Sequence, residues 1–482
     1  MTSTNRSALL ETHAAVLFFL GDRVYKLKKA VDLGFLDFRR RPDREVVCHR
    51  EVELNRRMAP DVYLGVADVH GPDGELCDHL VVMRRMPADR RLSALIRAGA
   101  PVGDDLRRVA HMLASFHAHA LRGPDVSAEG SRDALLARWS ATFAQLKTFA
   151  GGVLDAAAAA EVEDRVHAFL AGRQPLFTDR VAHGRVVDGH GDLIADDVFC
   201  LPDGPRPLDC LEFDDRLRRL DGLDDAAFLA MDIEHLGAGL LAGSFLDWYA
   251  EFSGDPAPAS LRHHYIAYRA YVRTKVACLR HAQGDPSAAA DVADYTGLAR
   301  QHLRAGEVRL VLVGGAPGTG KTTLAGKLAD RLGATVLSSD RIRKEIAGLA
   351  PERSAAAGWR EGIYTTEWTD RAYHELLDRA RRLLERGETV VLDASWYAPR
   401  RRAAARELAR ATSSALHEIR CTAGAATVSG RLARRHGDAS DADTVIAKAM
   451  SAAFGPWPEA TLIATDESPD QSLSRARAAV ET

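Results

Sequence analysis

Gly315-Ala316-Pro317-Gly318-Thr319-Gly320-Lys321-Thr322 has the residue types and the spacing of a complete phosphate-binding loop. The chemistry follows from its parts. Gly318 and Gly320 leave room for backbone N–H groups to wrap a phosphate at the positive end of a helix. Lys321 is placed to reach β- and γ-phosphates, and the Thr322 hydroxyl to ligate Mg2+. With Thr323, these residues form the expected ATP-binding set. A second and unrelated set lies upstream: His190-Gly191-Asp192, then Asp197 and Asp209. In that set Asp192 would take a hydroxyl proton, with His190 in the same catalytic loop, while Asp197 and Asp209 would hold Mg2+.

Each set needs elements that position it. Val308–Val313 is apolar and β-branched, Gly314 and Gly315 end it, and Lys321-Thr322-Thr323-Leu324-Ala325 opens a helical pattern, so the loop has its strand–loop–helix context. Thr335–Asp340 reads as a second strand ending in an acid, and Thr389–Asp393 as a third. Ligands sit at the carboxyl edge of an open parallel sheet. Asp340 is therefore expected to activate an acceptor hydroxyl and Asp393 to orient Mg2+ through water; the plainer alternative is that both cap the following helices. Arg431, Arg434 and Arg435 fall on a later helical stretch that could close over the phosphates, or simply face solvent.

Upstream, Val186–Gly189 leads into the catalytic loop and Val198–Leu201 reads as a short strand. A turn at Pro202–Pro205 returns into Pro207–Phe213, so a second strand is expected to deliver Asp209. A lysine and a carboxylate should then appear in a smaller lobe. The chain has only nine lysines, and Lys26, Lys28 and Lys29 are three of them. Val16–Leu20 and Arg23–Lys28 form a hairpin pattern about Gly21-Asp22. Lys26 has the best register for ATP phosphates, with Lys28 second on the same face. Glu51, in the helical stretch around His49–Leu54, is the expected ion-pair partner, with Glu53 as the alternative.

Residues 306–482 resemble the gluconate kinase, zeta-toxin and polynucleotide kinase branch of P-loop kinases. The resemblance rests on the loop, Ser339-Asp340-Arg341-Ile342-Arg343, Leu392-Asp393-Ala394-Ser395 and Arg431-Leu432-Ala433-Arg434-Arg435. It implies transfer of the ATP γ-phosphate to a small-molecule or polynucleotide hydroxyl. Residues 1–300 resemble the aminoglycoside phosphotransferase family of the kinase-like fold, and the order of modules is similar to that of bacterial two-domain proteins. This implies that Val81–Met86 is the strand between lobes, with Met83 beside adenine, and that the acidic stretch Asp214, Asp215, Asp221, Asp224 and Asp225 faces a cationic or polyhydroxylated acceptor. That stretch also fits an acid-rich helix start. The chain departs from the family pattern His-Gly-Asp-Leu-His-Pro-x-Asn at Ile194, Ala195 and Asp197. Ile194 cannot make a histidine's hydrogen bonds, and Asp197 adds a charge beside Asp192 that strengthens metal binding.

The expected fold is therefore α/β and α+β: a bilobal protein-kinase-like domain, small lobe 1–90 and helical lobe 91–304, followed by a P-loop domain, 305–482, with a parallel sheet flanked by helices. Length agrees, since 482 residues suggest roughly three compact units. Asp105–His119 and Asp155–Leu170 have helical spacing, and Tyr249, Tyr265, Tyr268 and Tyr271 are expected in the core or along an acceptor wall. His111, His117 and His119 share one helix without a metal-ligand pattern.

A net charge of −3 gives no electrostatic footprint for nucleic acid, and Arg400-Arg401-Arg402 reads as a solvated helix start. Six scattered cysteines suit reduced thiols in a cytoplasm. The polar Met1–Ser7 lacks a secretion-signal layout, and no apolar run approaches the ~20 residues of a membrane span. The expected partner is a small-molecule hydroxyl acceptor, with ATP and Mg2+ as cofactors; nothing fixes an oligomeric state. Three functions compete: a small-molecule kinase using one or both modules on a sugar, aminoglycoside-like or related metabolite; a pseudokinase or nucleotide sensor regulating the P-loop kinase; and a polynucleotide or nucleotide-sugar kinase of the zeta-toxin type.

Overall fold

The computed structural model describes residues 8–12, 14–32, 37–350, 361–434 and 444–481. The chain divides into two compact units: Met1–Val162, Phe177–Ala257 and Arg262–His302 form the first, and Glu163–Leu176, Pro258–Leu261 and Leu303–Thr482 the second. The first is a bilobal kinase-like fold and the second a P-loop fold with a parallel sheet.

In the first unit, strands β1 (Ala8–Glu11), β2 (Ala15–Leu20), β3 (Arg23–Lys28), β4 (Tyr63–His70) and β5 (Leu76–Arg84) make an antiparallel sheet in the order β1-β2-β3-β5-β4. The β2–β3 hairpin turns at Gly21-Asp22, and Gly21 takes the φ of 60° that the turn requires. The strand period of two puts Val24, Lys26 and Lys28 on one face of β3. Helix α1 (Arg41–Asn55) turns Cys48, Glu51, Val52 and Asn55 into the structure at helical spacing. Val24, Cys48, Val52, Val62, Tyr63, Val81 and Met83 close the core between them, joined by Phe199 and Leu208. That apolar packing excludes water around Lys28 and Glu51 and so raises the stakes of their pairing.

The rest of the unit is mainly helical. Helix α2 (Gly103–His119) precedes the short pair β6 (Val186–Asp188) and β9 (Arg219–Asp221) and the hairpin β7 (Val198–Leu201) with β8 (Gly204–Pro207); helices α3 (Gly222–His235) and α4 (Ala259–Ala282) follow. Tyr249, Tyr265, Tyr268 and Tyr271 are all buried, and Trp139 packs edge-on and tilted against the last two at 5.1 and 5.7 Å, so they are core residues. Two expectations need correction. The second hairpin strand ends at Pro207, and Asp209 follows it in irregular chain with a φ of 62°, a strained value for a non-glycine residue. Prolines 205 and 207 favour that early end, since each removes a ladder donor.

In the second unit, β10 (Arg309–Gly314), helix α5 (Lys321–Leu332), β11 (Thr335–Ser338), α6 (Ser339–Ile346), α7 (Thr366–Leu384), β12 (Val390–Asp393), α8 (Pro399–Ala411), β13 (Ala415–Thr422), α9 (Ala425–Ala433), β14 (Thr461–Ala464) and α10 (Pro469–Glu481) succeed one another. The sheet is parallel, in the order β11-β12-β10-β13-β14. Its central β10 is buried from Leu310 to Gly314, as its continuous apolar run demands. Val311, Val313, Leu324, Leu328, Val391, Ile419 and Ile463 share a core with Ala476 and Val480 of α10. Here the second expectation fails: the strand at 335 ends at Ser338, and Asp340 lies in the first turn of α6, where an acid is favoured by the helix dipole.

Candidate functional sites

The first site is built around Glu51. Its carboxylate, wholly buried, receives Lys26 Nζ at 2.9 Å and Lys28 Nζ at 2.6 Å, and Lys26 also reaches Asp209 at 2.7 Å. Both lysines therefore serve the same glutamate, and Lys28 makes a further ion pair with Glu212, a residue the sequence reading gave no role. Glu53 is exposed and pairs with Arg50, so it is not the partner. Two ammonium groups thus face Glu51, Asp209 and Glu212, and a negative charge is left over. Burial raises the Glu51 carboxyl, but Lys26 and Lys28 outweigh it and hold the group below its ordinary value. Lys26 brings Asp209 down to about 2. Glu212 carries the surplus: burial and the nearby Glu51 push it up despite Lys28.

The backbone around Asp209 is fixed from α1 and β4. Its N–H donates to the Tyr63 hydroxyl at 3.1 Å, Cys210 N–H donates to Asn55 Oδ1 at 2.9 Å, and Leu208 N–H to the Asp197 carbonyl at 2.9 Å. These bonds hold the unusual φ. They also bring Asp197, Asp192 and Asp209 into mutual electrostatic reach. Burial raises Asp192 to about 6 against the pull of Arg273 and Arg269, and burial with Asp209 and Asp192 raises Asp197 well above its ordinary value. Carboxylates that repel one another in this way fit a divalent cation.

His190 is a positioning residue. Its buried ring donates from Nε2 to the Leu208 carbonyl at 3.0 Å, while its N–H and that of Gly191 bind the two oxygens of Asp225 at 2.6 and 2.9 Å. Asp225 also accepts from His117 Nε2 at 3.1 Å, and His117 Nδ1 meets the Tyr249 hydroxyl at 2.8 Å. This overturns the acidic acceptor face. Asp221 is paired with Arg180, Asp224 with Arg269 at 2.7 Å, and all three acids are buried. Asp214 caps a short helix, and Asp215 pairs with Arg218. Arg269 instead brings positive charge beside the catalytic loop, donating to the Gly191 carbonyl at 3.1 Å. Met83 has its side chain in the small-lobe core, and its backbone pairs with Val24 on one side and Tyr63 on the other. In the altered segment, Asp196 accepts from Arg91 at 2.7 Å and Ser93 at 2.5 Å, and Ala195 N–H is held by Asp232 at 2.8 Å.

The second site is the loop at the end of β10. Gly315, Gly318 and Gly320 have φ of 142°, 82° and 78°, and a Cβ on Gly315 would fall 2.6 Å from Thr319 Oγ1 and 2.7 Å from the Cys421 carbonyl. Glycine is needed there for space as well as for φ. Thr319 folds back to the Ala316 carbonyl at 2.7 Å, Pro317 is buried, and Thr465 accepts the loop's other side by donating to the Thr319 carbonyl at 2.7 Å. Arg431 stands over the loop, bonded to Thr465 at 3.1 and 2.6 Å and to the Gly318 carbonyl at 3.4 Å. Arg434 turns back on its own helix, and Arg435 lies outside the described residues. Lys321 is buried at the start of α5, and Thr323, two residues on, is exposed.

Thr322 Oγ1 donates to Asp393 Oδ2 at 2.9 Å, and Asp393 Oδ1 is buried with no hydrogen-bond partner. Burial raises the Asp393 carboxyl, with Lys321 and hydrogen bonds from Thr322 and Ser338 opposing. An unpaired buried oxygen beside a threonine hydroxyl suits a cation that takes one or two protein ligands and draws the others from phosphate and water. Among the described residues no group of three His, Cys, Asp or Glu side chains is placed to hold a metal ion. Asp340 accepts from Arg343 Nη1 at 2.6 Å and is one-fifth exposed.

Residues 310–457 match the family model described as an AAA domain. An uncharacterized protein of Mycobacterium tuberculosis (strain ATCC 25618 / H37Rv) is 44% identical over 466 residues, covering 97% of this chain and 94% of the relative. Among solved structures, a choline/ethanolamine kinase family protein from Mesorhizobium loti aligns with 62% of this chain and 92% of its own at 16% identity and a TM-score of 0.39. A sugar kinase from Janibacter sp. HTCC2649 aligns with 36% and 95% at 20% identity and a TM-score of 0.29. Neither likeness bears on what this chain binds.

Proposed function

The chain belongs to one family with the Mycobacterium tuberculosis protein, and for this member we propose an ATP-dependent phosphotransferase with a nucleotide site in each unit, acting on the hydroxyl of a small molecule. The observation that carries the reading is the Thr322–Asp393 contact, in which Asp393 Oδ1 is buried without a partner, beside a loop in which a Cβ on Gly315 would fall within 2.7 Å of two oxygens. Thr322 and Asp393 would hold Mg2+ in the P-loop unit, and Asp197 and Asp209 in the kinase-like unit, where it would supply positive charge against that of the phosphates.

The residues do the remaining work. The loop's N–H groups and Lys321 fix the β- and γ-phosphates, and Arg431 closes one side. The acceptor oxygen attacks the γ-phosphorus, the bond to the β–γ bridging oxygen breaks, and ADP leaves. The acceptor proton passes to a carboxylate, Asp340 in this unit and Asp192 in the other. Lys26, aligned by Glu51, reaches the phosphates in the kinase-like unit. Six free cysteines support a cytoplasmic setting, and no helix among the described residues is long and apolar enough to cross a membrane.

A second reading has its own observation. Lys26 is bonded to Asp209 at 2.7 Å, and Ile194 stands where a histidine would make hydrogen bonds. On that reading the kinase-like unit binds nucleotide and regulates. ADP release by wild type, Asp192→Ala and Lys321→Ala over a panel of sugars, hydroxy acids and aminoglycosides separates them. Loss of different acceptors in the two variants supports two catalysts. Full loss in Lys321→Ala with no change in Asp192→Ala supports regulation, and no turnover in wild type sinks both.

A further inference from the structure

Arg400-Arg401-Arg402 looks in sequence like a solvated helix start, and the structure contradicts this for two of the three. Arg400 is exposed, but Arg401 and Arg402 keep only 5% and 3% of their accessible surface. Arg402 is accounted for: it donates to the Trp396 and Pro456 carbonyls at 3.3 and 2.7 Å and lies 5.0 Å over the Trp457 ring. Arg401 is not. Its guanidinium sits 4.5 Å over Tyr373 and 5.5 Å from Tyr397, and Nη2 donates to Asp370 at 2.9 Å. Nε and Nη1 are buried without a hydrogen-bond partner. Asp370 is shared, because Arg400 binds both of its oxygens at 2.8 and 2.9 Å. One carboxylate thus serves two guanidinium groups; the surplus positive charge sits on the exposed Arg400, and Arg401 is left with one ion pair and two unpartnered donors.

Asp370 and the two tyrosines keep Arg401 charged despite burial, but its two unpartnered N–H donors cost desolvation that an anion reaching them would recover. The aromatic faces offset part of the charge, but a ring face does not satisfy an in-plane N–H. Position then says what completes it. The Tyr373 hydroxyl meets Ser395 Oγ at 3.2 Å and accepts from Trp396 N–H at 3.2 Å; the Ser395 carbonyl accepts from Gly315 N–H, the first residue of the phosphate loop, at 3.1 Å. Arg401 is therefore one aromatic ring away from the segment that follows Asp393 at the carboxyl end of β12. The neighbouring strand repeats the arrangement: Arg343, on α6 after β11, is buried, lies 4.8 Å over Tyr364, bonds Asp340 through Nη1 and leaves Nε unpartnered.

We propose that Arg401, seated on Tyr373 and Tyr397, is an oxyanion subsite on the acceptor side of the P-loop unit, so that the acceptor carries a carboxylate or phosphate besides the hydroxyl it presents. This rests on the phosphotransferase reading of that unit. The planar guanidinium on an aromatic face is suited to such groups in a way an ammonium is not. The role is binding and alignment of the acceptor, leaving the proton to Asp340.

The test measures Lys321-dependent ADP release by the full chain with hydroxy acids, sugar phosphates and neutral polyols of matched length. The expected result is turnover of one anionic class, hydroxy acids if the subsite takes a carboxylate and sugar phosphates if it takes a phosphate. Arg401→Gln should then lower kcat/KM for that class by about 10–100-fold, mainly through KM, with Arg401→Lys intermediate. Equal turnover of the neutral polyols, or an anionic-to-neutral ratio unchanged in Arg401→Gln, overturns the proposal. If nothing is turned over, the phosphotransferase reading fails separately, and calorimetric titration of sulfate into the ADP- and Mg2+-saturated protein decides the subsite. Sulfate binding lost in Arg401→Gln and weakened in Arg401→Lys, each with wild-type circular dichroism, keeps it. Binding equal in wild type and variants overturns it, as does an adventitious ion only, bound without dependence on Arg401.

Discussion

Lys26 and Lys321 carry the same proposed task in the two units, and their surroundings differ. Lys26 is held at 2.9 Å from Glu51 and 2.7 Å from Asp209, inside a network that also takes in Lys28 and Glu212. Lys321 is buried at the head of α5 and makes no ion pair among the described residues, while its carboxylate neighbour Asp393 keeps one oxygen unpaired. The kinase-like site is thus held by its own charges, and a nucleotide must exchange partners to enter. The P-loop site has its shape fixed by backbone and its charges left for a ligand. Ligand binding should therefore change the first network more than the second.

The largest effect that could break this contrast is at the two reaction centres. Lys321→Ala is expected to reduce turnover in the P-loop unit by at least about 1000-fold, and Asp192→Asn to reduce turnover in the kinase-like unit by about 100–10,000-fold. Steady-state ADP release with each unit's own acceptor measures both. An Asp192→Asn enzyme of full activity would make the kinase-like unit a binding module, and the contrast would then be one of catalyst against sensor.

A smaller effect separates backbone from charge. Gly315→Ala must place a Cβ within 2.7 Å of two oxygens at a φ of 142°. Strain of about 1–3 kcal/mol would weaken nucleotide binding to the P-loop by roughly 5–150-fold. Titration with a fluorescent ATP analogue reads it, and an unchanged affinity would show that the loop is less rigidly set than its contacts say.

pH sharpens the comparison on the other side. Asp192 is raised to about 6 by burial, so it becomes an effective base only as pH rises through about 6. Below that, turnover by the kinase-like unit should fall about tenfold per unit. The same raised carboxyl contributes stability that is present at low pH and lost as pH rises through about 6. Asp209 behaves oppositely: held at about 2 by Lys26, it contributes stability present above its ordinary value of 3.8 and lost as pH falls towards 2. Lys26→Met should remove that acid-side contribution, which denaturant titration between pH 2 and 5 measures.

How much of this was legible in the sequence follows the same division. The P-loop is a local motif, so its strand, glycines, Lys321 and Thr322 could be read directly. The proposed kinase-like site draws on residues 26, 51, 192, 197 and 209; lysine scarcity and strand register point to Lys26, the helical stretch at 49–54 offers Glu51, and the structure pairs them. What could not be read was burial. The acids at 221, 224 and 225 and the arginines at 401 and 402 look like surface in a linear chain, and only tertiary packing shows that they are enclosed. Glu212 carried a readable signal, since it lies three residues past Asp209 as a charged residue among Cys210, Leu211 and Phe213. The end of β8 before Asp209 could also have been found, from the two prolines that close the hairpin.

The smallest expected effect tests whether Lys28 shares the task of Lys26 or only supports it. Lys28 is buried, bonded to Glu51 and Glu212, and its Nζ lies 5.7 Å over the Phe38 ring. It makes no contact with Asp209 among its ion pairs, so its part is to hold Glu51 from the far side. Lys28→Met leaves Glu51 with Lys26 and strands Glu212, whose carboxyl, already raised by burial, can take up a proton instead of keeping an unpaired charge. The expected cost to turnover is therefore only a few-fold, against about 100-fold or more for Lys26→Met. Lys28→Met with Glu212→Gln should be more stable than Lys28→Met alone above the pH at which Glu212 gives up its proton, because the second change removes the cost of keeping that carboxyl neutral. A double-mutant cycle in denaturant midpoints measures that coupling. Equal losses of turnover in the two lysine variants would instead assign both ammonium groups to the nucleotide.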